Sequence, residues 1–135
     1  MNRHTITSGA GTDFYGGFPV VAAAGGNYSF RLGNSLGMSQ AERARYYIHV
    51  PVNASDYALQ YAYAVVFEDP NHIANLQPKF QIRVYDSATG MELVCAGQEY
   101  VAGANTGFSV STVGFNIWYK PWTNASIDLS GFAGK

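Results

Sequence analysis

The sequence predicts an all-β protein, an antiparallel β-sandwich of jelly-roll type. Short segments in which apolar and polar residues alternate recur along the chain, with turn residues between them and no helix of ordinary length. Ten Tyr, eight Phe and fifteen Gly suit pleated sheets joined by tight turns. The length of 135 residues fits a single domain that spans residues 1–135.

Composition excludes several classes of protein. Apolar residues make up 47% of the chain and charged residues 13%, which is too apolar for a disordered protein. The net charge of -1 provides no electrostatic basis for binding nucleic acid or an anionic membrane. No apolar run approaches the roughly 20 residues that cross a bilayer, so we expect no membrane insertion.

The first eleven residues are polar and lack the apolar segment of a signal peptide. The protein is therefore either cytosolic or a piece of a longer secreted protein. Cys95 is the only cysteine, which rules out a disulfide within the chain. It is either a small buried apolar residue or the partner of a cysteine that lies outside this sequence.

The longest predicted strand covers residues 57–67. Its odd positions are bulky, from Tyr57 to Phe67, whereas its even positions are small and almost uncharged. A strand with no polar face is typically central in its sheet and covered on both sides. We therefore expect a loop or a neighbouring segment to lie over the alanine-rich face, and the strand to leave the sheet at Pro70.

The other strands follow from the same alternation. Residues 42–50 alternate from Ala44 to Val50, which predicts a strand that ends at Pro51, although Ser39 and Glu42 have the spacing of a helical capping box. Residues 79–97 predict a hairpin that turns at 86–90. Further strands are predicted at 27–33, 107–113, 115–122 and 125–130.

A short polar cluster follows the long predicted strand and consists of Glu68, Asp69 and His72. Two carboxylates and an imidazole are possible metal ligands, and Glu68 and Asp69 are weak candidates for calcium. No calcium-loop motif surrounds them, so we expect no metal site and no cofactor other than calcium. The alternative, which we favour, is a turn in which the acid accepts hydrogen bonds from backbone amides.

No motif of an enzyme is assembled in this sequence. It has no G-x-S-x-G motif and no phosphate-binding loop, and Cys95 falls within a predicted strand. We therefore predict a protein without catalytic residues. Trp118, Tyr119 and Trp122 could stack on sugars if they are exposed, or pack in the core. In a continuous strand, alternation would place the side chains of Trp118 and Trp122 on the same face as that of Lys120.

Several phrases occur together in a recognisable order. They are RHTITSGAGTD (3–13), NYSFRLGN (27–34), QAERARYYIHV (40–50), YAVVFEDPNH (63–72), QPKFQIRVYD (77–86) and YKPWTNASIDLS (119–130). As a set they resemble a β-sandwich module of very large surface and secreted proteins of Bacteroidota. Those proteins often contain PKD or other Ig-like repeats and a sorting domain for type IX secretion, and they are described as gliding-motility-associated or adhesin-like.

The resemblance implies an extracellular or cell-surface protein that serves adhesion, surface assembly or glycan contact, with no catalytic residue to carry over. It groups the residues of one segment as an interaction or calcium site, or as an architectural feature: Glu68, Asp69, Pro70, His72, Gln77, Pro78 and Phe80. It also implies that this chain is a fragment that lacks the last strand or strands of its module. The missing part could contain the partner of Cys95.

A truncated sandwich has an open sheet edge, so we expect another chain or a separate segment to complete it, with surface glycans as the alternative partner. The leading prediction is thus a non-enzymatic module for adhesion or surface assembly. The alternative is a carbohydrate-binding module that uses exposed aromatic residues, with or without calcium. The phrase Asp86-Ser87-Ala88 also resembles the acceptor for O-glycosylation in this phylum, with Ser87 as the modified residue.

Overall fold

The structure is a computed structural model that describes residues 3–36, 40–53, 55–93, 96–103 and 107–135. Within these ranges the protein is all-β and every sheet is antiparallel, which confirms the predicted fold class. The strands are β1 His4–Ser8, β2 Tyr28–Leu32, β3 Ala58–Glu68, β4 Lys79–Ile82, β5 Gln98–Val101, β6 Ser109–Val110 and β7 Ile117–Asp128. The jelly-roll strand order and the absence of a last strand stay predictions.

The strands form three sheets. The largest has the order β3-β7-β6, and two-stranded sheets are formed by β1 with β2 and by β4 with β5. Single-turn 3-10 helices lie at Ala74–Leu76 and Ser130–Phe132. No helix of the described ranges is long and apolar enough to cross a membrane.

The core lies between the β3-β7-β6 sheet and the β4-β5 sheet. Tyr63, Val65 and Phe67 are buried on one face of β3, where Tyr63 stacks on Phe80 of β4 with ring centroids 5.4 Å apart. A second cluster joins the start of β3 to the end of β7, around Val50, Ile127 and Leu129. Both clusters bury the bulky odd face of β3, as the alternation predicted.

The alanine-rich face of β3 is covered in part by a loop, as expected. Val66 of β3 pairs with Tyr119 of β7, so their side chains share this face. Phe18 packs against Tyr119 with a centroid distance of 6.2 Å, and the loop is closed by the bridge between Thr12 and Pro19. Burial on both faces of the sheet explains why this part of β3 has no charged residue.

Strand β7 is one continuous strand, although two were predicted at 115–122 and 125–130. A register shift between Tyr63 and Val65 of β3 places one extra β7 residue at Pro121-Trp122. Such a bulge leaves a residue unpaired, and a proline is tolerated there because its missing N–H is not needed.

Two predictions about strands are wrong. Residues 42–50 form no strand, because among the described residues the only backbone bonds of this segment are loop bonds of Val50 with Gly134 and Lys135. Strand β3 is not central: β7 lies between β3 and β6, and β3 borders the sheet as the structure describes it. Burial of both faces made β3 look central, but burial does not report whether both edges are paired.

The remaining strand predictions have mixed outcomes. The strand at 27–33 is confirmed as β2, and the strand at 107–113 shortens to β6. The hairpin at 79–97 is confirmed by the Tyr85–Glu92 bridge, and its return arm continues through β5. Strand β1 was not predicted. Cys95 and Ser39, about which the sequence made predictions, lie outside the described residues.

Candidate functional site

Strand β3 bonds to β7 through its odd-numbered residues. At the two ends of the pairing, Leu129 N donates to Tyr57 O at 2.7 Å and Asp69 N donates to Asn116 O at 2.9 Å. Successive residues of a strand point their N–H and C=O groups to opposite sides. The even-numbered residues, from Ala58 to Glu68, therefore point their backbone groups away from β7. We call this row of backbone groups the outer edge.

No described strand pairs with the outer edge over the 11 residues of β3. The side chains on the even positions are mostly small, with alanine at 58, 62 and 64. Small side chains leave room for a further strand to approach closely. A long unpaired edge is a template for strand addition, so the edge is a candidate site of interaction.

One segment of the chain lies beside the first part of the outer edge without pairing to it. Residues 46–49 and residues 57–60 form the two walls of an open groove of about 370 Å³. Tyr46 is 87% exposed and Tyr47 is 72% exposed. The segment that has the pattern of a strand thus lies next to a strand edge that pairs with no described strand.

Asp69 ends β3 in a turn, as predicted. Its carboxylate is buried, and Oδ1 accepts hydrogen bonds from Asn71 N and from Gln77 Nε2, each at 2.9 Å. Asn71 has a φ of 57°, which an asparagine tolerates in a tight turn. Asn116 Nδ2 donates to the Asp69 carbonyl, which ties the turn to the residue before β7. The favoured interpretation of Asp69, a bond to a backbone amide, is confirmed.

The structure does not gather Glu68, Asp69 and His72 into one site. Glu68 and His72 are exposed, and His72 lines an open groove of about 640 Å³ together with Gln77, Lys79 and Glu99. Gln77 Oε1 is buried without a hydrogen-bond partner. In the part of the chain that is described, no group of three or more His, Cys, Asp or Glu residues could hold a metal ion.

The three aromatic residues of β7 do not form one platform. Trp118 shares the core face with Lys120, since they pair with Phe67 and Val65 of β3, respectively. Trp122 instead packs on Phe18, as Tyr119 does. The prediction that Trp118 and Trp122 share a face is wrong, because the bulge at Pro121 shifts the alternation by one residue.

All three rings are half-buried, and both indole N–H groups are used within the protein. Trp118 Nε1 donates to Asn116 Oδ1 at 3.3 Å, and Trp122 Nε1 donates to Pro19 O at 2.6 Å. Lys120 Nζ lies 5.7 Å from the Tyr100 ring centroid and 5.9 Å from that of Phe108. These residues fix the loop and the core against β7.

A hydroxyl pair lies inside the sandwich. The hydroxyl groups of Tyr63 and Tyr100 are 2.6 Å apart, and Gln98 Oε1 lies within hydrogen-bond distance of both, at 3.3 Å and 3.2 Å. Burial raises the pKa of Tyr63 well above its usual value, and the bond with Tyr100 adds to the effect. Burial also raises the pKa of Tyr61, whose hydroxyl oxygen is buried without a partner.

Ser87 lies exposed in the predicted turn between the arms of the hairpin. The residue before it, Asp86, is buried, and its Oδ2 is 2.6 Å from Lys135 Nζ while its Oδ1 accepts from Ala88 N at 2.9 Å. These bonds, that of Lys135 first, lower the pKa of Asp86. Gly90 closes the turn with a φ of 71°, which favours glycine.

Sequence reasoning anticipated an open edge but placed it where the chain ends. The structure places it on β3, the strand that was predicted to be central. The signal in the sequence was the row of alanines on the even positions, which was interpreted only as a sign of close packing.

No protein-family model, no curated protein and no solved structure matches this chain. The resemblance to modules of Bacteroidota surface proteins therefore stays a prediction from the ordered phrases.

Proposed function

We propose that this chain is a non-enzymatic extracellular module for adhesion or surface assembly, in which the outer edge of β3 receives an extended segment of another protein chain. The observation that carries the proposal is the direction of the even-numbered backbone groups from Ala58 to Glu68. They point away from β7 and meet no described strand. Strand addition at such an edge supplies affinity through main-chain hydrogen bonds.

The side chains beside the edge support a partner that is a strand. Alanines at 58, 62 and 64 leave the backbone accessible, and Glu68 is the only charged residue of the strand. Natural proteins commonly protect an exposed edge with charged residues or proline, and the even positions from 58 to 66 have neither. The edge therefore lacks the residues that commonly prevent strand addition, as expected of a site that binds a strand.

The aromatic residues favour assembly over the alternative, a carbohydrate-binding module. A platform for sugars needs exposed rings, and Trp118, Tyr119 and Trp122 are half-buried and divided between two faces of the sheet. Asp69 Oδ1 accepts two hydrogen bonds within the protein, which supports the role of this residue in a turn. The protein would thus recognise a polypeptide through backbone groups, not a sugar.

The extracellular placement rests on the resemblance of the sequence phrases, and Ser87 belongs to the same proposal. Its exposure in a turn makes it accessible to a glycosylating enzyme. Intact-mass measurement on protein from the producing cells would show one added glycan, which Ser87→Ala would remove. An unmodified mass for the unaltered protein would contradict this assignment.

The edge can be tested by one substitution. Ala62 points its N–H outward, so Ala62→Pro removes an outer donor while it leaves the bonds to β7 in place. Ala62→Ser keeps the N–H and serves as the matched control. Both variants would be expressed in the producing cells, with circular dichroism and a melting curve on the purified proteins to verify the fold.

We expect Ala62→Pro to lower the attachment of cells to surfaces or to one another by about tenfold or more, with Ala62→Ser unchanged, because strand addition requires the outer donors. Equal attachment by the folded proline variant and the serine variant would contradict the proposed contact.

A further inference from the structure

Residues 46–50 have the features of a strand that the structure leaves unpaired. Tyr46 and Ile48 alternate with Tyr47 and His49, which is the period of a β-strand. Nevertheless, residues 46–49 make none of the backbone hydrogen bonds that the structure shows between loops. Their side chains are exposed or half-buried, and they line one wall of the groove beside β3.

Val50 sets the direction of the backbone groups in this segment. Its N–H donates to Lys135 O at 2.8 Å, and its C=O accepts from Gly134 N at 2.9 Å. In an extended chain the neighbouring residues point their groups to the opposite side. The groups of His49 and Tyr47 are thereby directed away from residues 134–135.

The opposite wall of the groove presents matching groups. Ala58 and Gln60 belong to the outer edge and point their N–H and C=O groups away from β7. A strand at residues 46–50 that reaches β3 through a short connection would run antiparallel to it. His49 would then face Ala58, and Tyr47 would face Gln60, as two hydrogen-bonded pairs of an antiparallel ladder.

The side chains agree with the same pairing. Val50 is buried in the cluster with Ile127 and Leu129, and Tyr57 packs against that cluster. Alternation then places Ile48 and Tyr46 on the core face beside Leu59 and Tyr61. The polar side of the segment, with His49, remains in solvent.

We propose that residues 46–50 close onto β3 as a fourth strand of its sheet, and that this closure regulates access to the outer edge. The inference rests on the proposed function, since it identifies what competes with an incoming strand at the same site. In the closed state the segment occupies the edge at Ala58 and Gln60. In the open state, which the structure shows, those groups are available to a partner.

A disulfide can capture the closed state. Tyr47 and Gln60 are both exposed, so Tyr47→Cys with Gln60→Cys can be introduced into a Cys95→Ser background with little effect on the fold. A directly facing pair brings the two Cα atoms to about 5.5 Å, within the range that a disulfide spans. The control is Tyr46→Cys with Gln60→Cys, whose side chains would point to opposite faces of the sheet.

Oxidation followed by non-reducing mass spectrometry should give a disulfide-linked monomer, at about tenfold higher yield for the 47/60 pair than for the 46/60 pair. Equal yields for the two pairs, or no disulfide in the 47/60 variant, would overturn closure in that register. A disulfide-linked dimer would also overturn it, because it would show that the segment pairs with a second copy.

Access to the edge is tested with the same variant. The probe is a synthetic peptide of alternating Thr and Val residues with lysines at both ends, added to the oxidised and the reduced protein. Binding should be about tenfold weaker to the oxidised form, since its edge is occupied. Equal binding to both forms would overturn the regulatory role. Failure of the peptide to bind even the reduced form would count against the proposed function, while the disulfide alone still decides whether the segment closes.

Discussion

Strand β3 has two neighbours, and they are attached to it in very different ways. On one side β7 pairs with β3 from Ala58 to Glu68, and the sheet buries Tyr63, Val65 and Phe67. On the other side residues 46–49 lie next to the start of β3 and make no ladder bond with it. Both neighbours have the alternation of a strand, so alternation alone does not determine pairing.

The difference between the two neighbours is in what their side chains bury. β7 contributes Ile117 and Ile127 to the interior, whereas Tyr46 and Tyr47 remain in solvent. A strand becomes fixed when one of its faces excludes water, because backbone hydrogen bonds alone add little net free energy. With respect to the residues that the structure describes, the outer edge therefore remains available, whereas the inner side of β3 is fixed.

The largest effect is expected on the inner side. Phe67 is buried and stacks on Phe108 with ring centroids 5.7 Å apart. Phe67→Ala should lower the free energy of unfolding by about 3–5 kcal/mol, through lost burial and the cavity it leaves. Urea denaturation followed by tryptophan fluorescence measures it. A loss below about 1 kcal/mol would show that this face is not the core.

The next effect concerns the hydroxyl pair on the same face. Tyr63→Phe removes the bond to Tyr100 Oη and leaves that group with Gln98, which should cost about 1–2 kcal/mol in unfolding free energy, as measured by urea denaturation.

The same variant tests the ionisation of Tyr63. Because burial raises the pKa of Tyr63, this residue should not ionise near pH 10 in the folded protein. The number of tyrosines that ionise near pH 10 should therefore be the same in Tyr63→Phe and in the unaltered protein. Ultraviolet titration of both proteins measures this. Loss of a step near pH 10 in the variant would contradict the burial of Tyr63.

A smaller effect is expected where the outer segment is anchored. Lys135 binds Asp86 and also bonds to Val50, so the ion pair supports the base of residues 46–50. The pKa of Asp86 is lowered in the folded state, chiefly by Lys135. Its contribution is therefore present above the usual pKa of an aspartate, about 4, and is lost as pH falls through the lower folded value.

Lys135→Met should accordingly lower the melting temperature at neutral pH and reduce the fall in melting temperature between about pH 4 and pH 2. Melting curves followed by circular dichroism across this range test it, with Lys79→Met as a control at an exposed lysine. Parallel pH profiles for the Lys135→Met variant and the unaltered protein would contradict the role of the pair.

The smallest effect is expected at the residue that directly precedes the outer neighbour. Arg45 is exposed and forms no ion pair in the described structure. Arg45→Ala should change the free energy of unfolding by less than about 0.5 kcal/mol, as is usual at such sites. A loss well above this value in urea denaturation would mean that the segment is already packed and that the two sides of β3 differ less than the structure indicates.

The sequence supported the fold class and much of the strand content because alternation reports which face of a strand is buried. The bulky odd positions of β3, the hairpin turn at Asp86 and the Asp69 turn all follow from local chemistry that the residues specify. The failures concern pairing and register. The bulge at Pro121 shifted the faces of Trp118 and Trp122, and the segment 42–50 has the pattern of a strand but pairs with no strand that the structure describes. Such features depend on contacts between residues far apart in the chain.

The outer edge could be anticipated only in general terms. A row of alanines at even positions indicates close approach of another segment, but not whether that segment is a loop, a strand of the same chain or a strand of a partner. The direction of the backbone groups decides which residues can accept a strand. That direction follows from the bonds at Tyr57 and Asp69, which only the structure shows.

The central claim, an unpaired outer edge on β3, is tested most directly by residue-resolved amide hydrogen exchange in dilute protein. We expect alternation along the strand, with slow exchange at Tyr63, Val65 and Phe67, which bond to β7, and fast exchange at Ala62, Ala64 and Val66. Slow exchange at all six amides would show that the edge is already paired and would contradict the account.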